Sequence, residues 1–213
     1  MLLKLTLPRE PQPATVDAQP VFRGGRQLAS DAQPALAADD DRLSRARGGD
    51  TAAFTELVRR YQAMVFSLAW RIVSNRAVAE ELAQDVFLQL HRNLAHLESG
   101  AHVVHWLRRV VAHRAIYAAR QHARRPQANL ADVPEPAIRA VERDPLMARR
   151  LRALMATLPA APRAVLTLRF QEDLEPSEIA RVLEMPLNTV KSHLRRGLAV
   201  LRGRAQELVE SKS

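Results

Sequence analysis

Histidine is the residue type in this chain best suited to hold a metal ion, and several of the seven histidines lie in one stretch of sequence. His102 and His105 are three residues apart, and His91 and His96 precede them. A closed zinc site needs three or four ligands. Glu98 is the nearby acid, and the chain has no cysteine. The pattern therefore predicts neither a metal site nor a cofactor.

Catalytic residue types show no organised pattern either. The seven glycines are scattered, and the sequence contains no phosphate-binding glycine loop, no nucleophile elbow and no convincing pair of carboxylates. We therefore do not expect an enzyme.

The charge of the chain points to a binding function. The sequence has 32 Lys and Arg against 23 Asp and Glu, a formal charge of +9. Such a chain favours a polyanionic partner, either nucleic acid or an anionic membrane surface. No run of about 18 apolar residues is present, so we expect no membrane insertion. The lack of cysteine fits a cytoplasmic protein.

The segment from Glu175 to Leu198 has the form of a helix-turn-helix. Pro176 suits the first turn of a helix, where its missing N–H is not needed. Pro186 restricts Met185 and favours a turn between two helices. The two helices are expected to pack through apolar residues at helical spacing, namely Ile179, Ala180, Leu183, Val190, Leu194 and Leu198.

The second helix of this motif then presents polar and cationic side chains outwards. These residues are Asn188, Thr189, Lys191, Ser192, Arg195 and Arg196. Asn, Arg and Lys can read base edges in a major groove, while Ser and Thr can bind phosphates. No acid lies between Glu184 and Glu207, so the local field favours DNA. An ordinary helical hairpin with a solvated basic face is the alternative for this segment taken alone.

The positions of the prolines divide the chain into regions. No proline occurs between Ala35 and Arg125, whereas prolines are frequent before this stretch and again after it. Because proline is excluded from helix interiors, the sequence predicts an all-α protein with two small helical domains and a flexible linker. We assign residues 1–40 to a disordered extension, 41–125 to the first domain, 126–145 to the linker and 146–208 to the second domain.

Apolar spacing places the helices within the two domains. Asp50 or Thr51 can cap a helix that ends near Ser74 and Asn75, and its apolar positions recur every three or four residues. Two further helices follow, separated by a break at Gly100. The second domain is expected to hold helices at about 146–157, 160–172, 176–183 and 187–208.

Four segments together resemble the sigma-70 family of RNA polymerase sigma factors. The stretch from Ala79 to Leu90 is similar to region 2.2, and Gly49 to Phe54 looks like the opening motif. Trp106 to Val111 looks like region 2.3 running into 2.4, and residues from Leu158 to Ser192 are similar to region 4. The order and spacing agree with the extracytoplasmic-function (ECF) subgroup, which keeps only domains 2 and 4. The resemblance covers roughly residues 45–205.

The resemblance implies a function and its site residues. Glu81, Gln84 and Asp85 would bind the clamp of core RNA polymerase, and the cationic third helix would bind the −10 promoter element. The −10 residues would be Arg109, His113, Tyr117, Arg120 and Arg124. The loop from Leu97 to His102 would capture an unpaired base. The helix-turn-helix residues given above would read the −35 element, and an anti-sigma factor is an implied partner.

Trp106 admits two interpretations, a stacking wedge for an unpaired base or, as we favour, a core residue that anchors its helix. The chain also departs from the family pattern at several positions. The family usually has Asn where this chain has His113, Asp where it has Tyr117, and Arg where it has Ala112. In the helix-turn-helix, the common Gly is replaced by Glu184, and Pro186 stands where Ser or Thr is usual. The −10 preference and the contacts at the start of the recognition helix are therefore expected to be unusual.

Two other functions are alternatives to a sigma factor. A stand-alone helix-turn-helix regulator would bind duplex DNA tightly by itself, usually as a dimer. An interaction protein with a decayed sigma fold would bind a protein partner without supporting transcription. Neither explains the motif from Ala79 to Leu90 as well as a sigma factor does.

Overall fold

The computed structural model describes residues 29–124 and 145–210, and every regular element in these two stretches is a helix. A single 3-10 turn, Leu94–His96, joins the third and fourth helices. The α-helices are α1 (Ala29–Arg47), α2 (Thr51–Val73), α3 (Arg76–Asn93), α4 (Gly100–Arg124), α5 (Pro145–Ala156), α6 (Ala160–Phe170), α7 (Pro176–Val182) and α8 (Leu187–Glu210). The first region is α1 to α4, and the second region is α5 to α8.

Helix α1 begins inside the segment that the sequence analysis assigned to a disordered extension. Its C-terminal half packs on α2 through Leu43 and Ala46, both buried. Asp39 is fully buried and accepts hydrogen bonds from Arg42, Arg60 and the Tyr61 hydroxyl. Two arginines and a phenol thus compensate the buried carboxylate, which explains why α1 from Asp39 onwards packs onto the first region. The predicted extension from 1 to 28 lies outside the described residues.

Helix α2 is the centre of the first region and packs against α1, α3 and α4. Asp50 caps it, because its carboxylate accepts from the N–H groups of Ala52 and Ala53. Ser74 ends it in the left-handed conformation, with φ 59°. The predicted cap and end are therefore confirmed, and the predicted apolar spacing gives the buried stripe of Leu57, Tyr61, Val65, Leu68 and Ile72.

The second region contains the four helices that the sequence predicts, with each end within two residues of the expected position. Val190, Ile179 and Leu183 are buried between α7 and α8. Gly197 on α8 allows a close approach to α6: a Cβ at this position would lie 2.8 Å from Leu166 Cδ1. Any larger residue at this position would force the Leu166 side chain to move.

The two regions are in contact, which the sequence analysis did not predict. Their buried apolar side chains form one continuous core. Arg163 on α6 is 8% exposed, and its guanidinium donates to the carbonyl oxygens of Ile72, Ala156 and Leu158 and to the Ser74 hydroxyl at 2.7–2.9 Å. The carbonyls at the C-terminal ends of α2 and α5 carry partial negative charge, which compensates the buried cation. The predicted linker lies outside the described residues except for Pro145, which begins α5.

Candidate functional site

Helix α3 carries an exposed polar face. Glu81, Gln84 and Asp85 are all exposed, and their spacing of three and four residues places them on one side of the helix. Leu88 continues this side and is 58% exposed. The opposite side of α3 is buried through Ala79, Val86 and Leu90, so the core fixes the direction in which the polar face points.

One member of this face already has an ionic partner. Arg114 on α4 donates to Asp85 at 3.1 Å, and both side chains are about half exposed. An exposed pair of this kind contributes little to stability, roughly 0–1 kcal/mol. Asp85 therefore remains available to an external cationic surface at a small cost.

Helix α4 carries the cationic face, which we define by Arg109, His113, Tyr117 and Arg120. Arg109 is one-third exposed, and the other three are exposed. The Tyr117 ring is 66% exposed, and its hydroxyl accepts from Gln121 at 2.8 Å. The other side of the helix is buried through Val103, Leu107, Val111 and Ile116. The structure thus places these four predicted residues on the outward surface of one helix. Arg124 is the last residue of α4, and its side chain is not described.

The N-terminal end of α4 is held by a residue of α1. The carboxylate of Asp40 accepts from the Gly100 N–H at 2.6 Å, and the Ser99 hydroxyl accepts from the His102 N–H at 3.1 Å. Leu97 in the preceding loop is buried. These contacts fix the loop from Leu97 to His102, although Asp40 was absent from the residues that the sequence analysis selected.

Trp106 is partly buried and packs against the hydrophobic core. This position favours the interpretation of Trp106 as an anchor of α4.

The helix-turn-helix consists of α7, a turn at residues 183–186, and α8. Asn188, Lys191, Arg195 and Arg196 are exposed, whereas Thr189 and Ser192 are half-buried. Burial of Val190 and the packing of Leu194 against the core rotate these six residues outwards. Partial burial, together with the nearby Arg196, lowers the pKa of His193, which favours its neutral form in the same helix.

The turn of the helix-turn-helix is built around Glu184. Glu184 has φ 51°, in the left-handed region. Its N–H donates to the Arg181 carbonyl at 3.4 Å, and the Met185 N–H donates to the Ala180 carbonyl at 3.0 Å. This pair of bonds is the Schellman pattern that ends many helices, and glycine is the usual residue at the position of Glu184. The backbone therefore retains the geometry of the common glycine even though the side chain is glutamate.

The Glu184 side chain reaches the cationic face of α4. Its carboxylate forms an ion pair with Arg109, and its second oxygen lies 4.0 Å from His113 Nε2. Sequence reasoning identified both partners as −10 residues and identified Glu184 as a departure from the family pattern. It did not identify the contact between them, because nothing local to either segment encodes it.

Three further residues were missed at the boundary between the regions. The Arg108 guanidinium forms an ion pair with Glu172 at 2.9 Å, and the Glu172 side chain is 7% exposed. Arg163 lies inside the segment that resembles region 4, but no role was predicted for it. It directly precedes the apolar run of Ala164, Val165 and Leu166. That position was the available signal, since a buried charge requires partners.

Among the described residues, no group of three or more His, Asp or Glu side chains is arranged to hold a metal ion. In the same part of the chain, no helix combines the length and the apolar character needed to cross a membrane.

The described residues form an all-helical fold that carries an exposed acidic face, a cationic helix and a helix-turn-helix, a combination typical of DNA-binding transcription proteins. Comparison with known families agrees: residues 57–125 match Sigma-70 region 2, and residues 148–201 match Sigma-70, region 4. The chain belongs to the sigma-70 family, in its extracytoplasmic-function subgroup. It is an RNA polymerase sigma factor that acts in promoter recognition, and a stand-alone regulator is not favoured.

Curated relatives and solved structures give the extent of the similarity. The chain is 30% identical over 175 residues to the RNA polymerase sigma-H factor of Pseudomonas aeruginosa, covering 73% of this chain and 88% of that protein. It is 25% identical over 186 residues to the ECF RNA polymerase sigma factor SigW of Bacillus subtilis, covering 78% and 96%. The solved structure of the sigma factor RpoE in complex with the anti-sigma factor NepR from Bartonella quintana has the same fold. Its TM-score is 0.56 at 18% identity, covering 74% and 96%.

Proposed function

We propose that the three exposed surfaces divide the work of promoter recognition among them. Glu81, Gln84 and Asp85 on α3 bind core RNA polymerase. The cationic face of α4, with Arg124, binds the −10 element. The outward residues of α8, from Asn188 to Arg196, read the −35 element.

The observation that carries this proposal is the contrast in charge between two packed helices of one region. Residues 81–85 of α3 present carboxylates, while α4 presents arginines and an exposed aromatic ring. An acidic surface steers a basic protein partner. Cations with an accessible ring suit a single strand, because phosphates bind the cations and bases stack on the ring. Strand opening at the −10 element requires both phosphate binding and base stacking.

The domain boundaries follow from the same division. Residues 41–125 form the sigma region 2 domain and 146–208 the region 4 domain, and residues 126–145 connect them. The described residues of α1 add to the first of these domains. When one chain carries two weak DNA-binding surfaces, binding of the first surface raises the effective concentration of the second surface near the DNA.

We further propose that the chain contributes recognition and strand opening without catalysis, so that nucleotide transfer belongs to the polymerase. It would work in the cytoplasm, where the polymerase and promoter DNA are present. An anti-sigma factor is a further proposed partner. A related sigma factor, RpoE, was solved with the anti-sigma factor NepR, and a protein that masks the α3 face would block polymerase binding.

In vitro transcription tests the proposal. Purified core polymerase, this protein and a promoter fragment from upstream of its own gene should yield a discrete transcript. The triple variant Glu81→Ala, Gln84→Ala and Asp85→Ala should abolish the transcript and weaken co-elution with core polymerase at least about ten-fold, the loss expected when interface anchors are truncated.

Asp41→Ala is the control. Asp41 is an exposed carboxylate on α1, 3.8 Å from Arg45, and it lies outside the proposed face. This variant should transcribe and co-elute like the wild type. If the triple variant still bound core polymerase normally, the α3 face would not be the clamp contact. Absence of any association of the wild type with the polymerase would overturn the proposed function.

A further inference from the structure

Helix α1 contacts the backbone that leads into α4 at two points. The Arg47 guanidinium donates to the Ala95 carbonyl at 3.1 Å, and the Asp40 carboxylate accepts from the Gly100 N–H at 2.6 Å. Asp40 and Arg47 are seven residues apart, which is two turns and about 10 Å along the helix axis, so they lie on the same side of α1. Helix α1 therefore runs along residues 95–100 and holds this segment at its start and at its end.

Between and beside these two contacts, the loop from residue 97 to residue 102 is fixed by its own side chains. Leu97 is 1% exposed and belongs to the hydrophobic core. The Ser99 hydroxyl accepts from the His102 N–H at 3.1 Å, and His102 Nδ1 accepts from the Glu98 N–H at 3.4 Å. The Glu98 and Ala101 side chains are exposed. The backbone of the loop is thus held from the side of the first region while its outer surface is open to a ligand.

Helix α1 is itself fixed to α2 beside the point where it holds the loop. Asp39, the residue before Asp40, is fully buried and accepts from the Arg60 guanidinium and the Tyr61 hydroxyl of α2. Leu43, one turn further along α1, is 1% exposed. Any shift of α1 along α2 would separate a buried carboxylate from its partners, which is strongly unfavourable. Helix α1 is therefore a rigid support for the loop.

We propose that Asp40 and Arg47 are positioning residues for base capture, which hold the loop from residue 97 to residue 102 in the shape that accepts an unpaired base. The inference rests on the proposed role of the first region at the −10 element and on the expected capture of a base by this loop. A site that is held in its binding shape pays no ordering cost when the ligand arrives. Release of the loop from α1 therefore weakens binding of the captured base and leaves contacts elsewhere on the strand unchanged.

The chemistry of Asp40 supports positioning of the loop over direct contact with DNA. A carboxylate repels the phosphates of a DNA strand, so an acid beside a DNA-binding loop needs another explanation. Gly100 begins α4, and an anion at the first N–H groups of a helix satisfies a donor and interacts favourably with the helix dipole. The backbone that Asp40 holds is therefore the reason for an acid at this position.

Binding of single-stranded promoter DNA by core polymerase with the full-length protein is the decisive test. The probe is a fluorescent non-template strand from a promoter that this holoenzyme transcribes, and one abasic site is moved through its −10 element. With the wild type, the abasic site should weaken binding about ten-fold at the position of the captured base, the effect of losing one stacked base. In Asp40→Ala and in Arg47→Met this weakening should shrink to about two-fold, and the effects at other positions should not change.

Conservative variants separate positioning from charge. Asp40→Asn removes the charge but keeps an oxygen that can accept from the same N–H, so it should retain the ten-fold effect. Arg47→Lys keeps a donor for the same carbonyl and should retain most of it. Two controls remove exposed charges of the same signs from α1 and α2, Asp41→Ala and Arg59→Ala. Both controls should bind every probe like the wild type.

The outcomes distinguish this inference from the proposed function. An unchanged ten-fold effect in both Asp40→Ala and Arg47→Met would overturn the positioning role. Equal weakening of all probes by these variants would also overturn it, because that result indicates a direct phosphate contact or a general loss of binding. Circular dichroism and co-elution with core polymerase check that each variant is folded.

Two further results concern the premises. If no abasic position weakened binding of the wild type, the loop would capture no base and the inference would fail, although transcription would still support a sigma factor. Failure of the wild type to transcribe would overturn the proposed function instead.

Discussion

The acidic face of α3 and the cationic face of α4 lie on adjacent helices of one region, yet the fold treats them differently. Glu81, Gln84 and Asp85 are all open to solvent, and the one described partner of Asp85 is an exposed arginine. Arg109 and His113, in contrast, face the Glu184 carboxylate of the second region. The surface proposed for the polymerase is accessible, whereas the surface proposed for DNA is partly covered.

The two faces therefore differ in accessibility as well as in charge. The chain's formal charge of +9 attracts nucleic acid without regard to sequence. The Glu184 carboxylate reduces the positive field of α4 at Arg109.

The largest effect in this comparison is expected at Arg163, which joins the second region to the end of α2. Arg163→Met removes a buried donor and leaves three carbonyl groups without their partner, so we expect a loss of about 2–4 kcal/mol in the free energy of unfolding. The melting temperature should fall by roughly 5–15 °C, as measured by circular dichroism. The α3 face should still bind core polymerase.

Arg195→Met is the control for this experiment. Arg195 is exposed on α8, and its substitution should change the free energy of unfolding by less than about 0.5 kcal/mol. Equal melting temperatures for Arg163→Met and Arg195→Met would show that the Arg163 hydrogen bonds, both to the end of α2 and within the second region, contribute nothing to stability.

A smaller effect is expected at the anchored end of the cationic helix. Asp40→Ala leaves the Gly100 N–H without its acceptor, and loss of such a cap costs about 1 kcal/mol. Promoter opening, followed by permanganate reactivity of unpaired thymines near the −10 element, should decrease more than polymerase binding does. The neighbouring Asp41→Ala removes an exposed carboxylate 3.8 Å from Arg45 and should leave both measurements unchanged. If Asp40→Ala opened promoters normally, the position of the loop from Leu97 to His102 would not depend on its contact with α1.

The smallest effect is a dependence of stability on pH. Loss of hydration and the nearby Arg181 lower the pKa of His105 on α4 below its ordinary 6.5. The unfolded chain then binds more protons than the folded chain below pH 6.5, so the free energy of unfolding should fall as the pH decreases from 7.5 to 5.5. His105→Gln should flatten this decrease in urea titrations. His193, whose pKa is also lowered, accounts for part of the remaining slope. An identical slope in His105→Gln would exclude His105 as a contributor.

Local patterns were sufficient for much of the molecule. The helix-turn-helix was predictable because Pro176, Pro186 and the apolar spacing act on neighbouring residues. The caps of α2 were predictable for the same reason, since Asp50 bonds to N–H groups two and three residues away. The outward direction of the α8 residues followed once Val190 was assigned to the core.

Other features depended on residues distant in sequence. Asp39 and Asp40 lie in a segment that composition suggested was disordered, and their partners are Arg60, Tyr61 and Gly100. Burial and the Asp39 carboxylate raise the pKa of Tyr61 to about 12, so the phenol stays protonated as a donor. No periodicity within residues 29–40 could reveal these partners.

The sequence by itself determined the class of the fold, the positions of most helices and the family of the protein, because periodicity, caps and turn residues act over short distances. Only the tertiary structure decided that Glu184 meets Arg109 and that Arg163 joins the two regions. Those contacts depend on how the packed helices place side chains from different regions beside one another, and a charged residue in a sequence does not state which opposite charge it will meet.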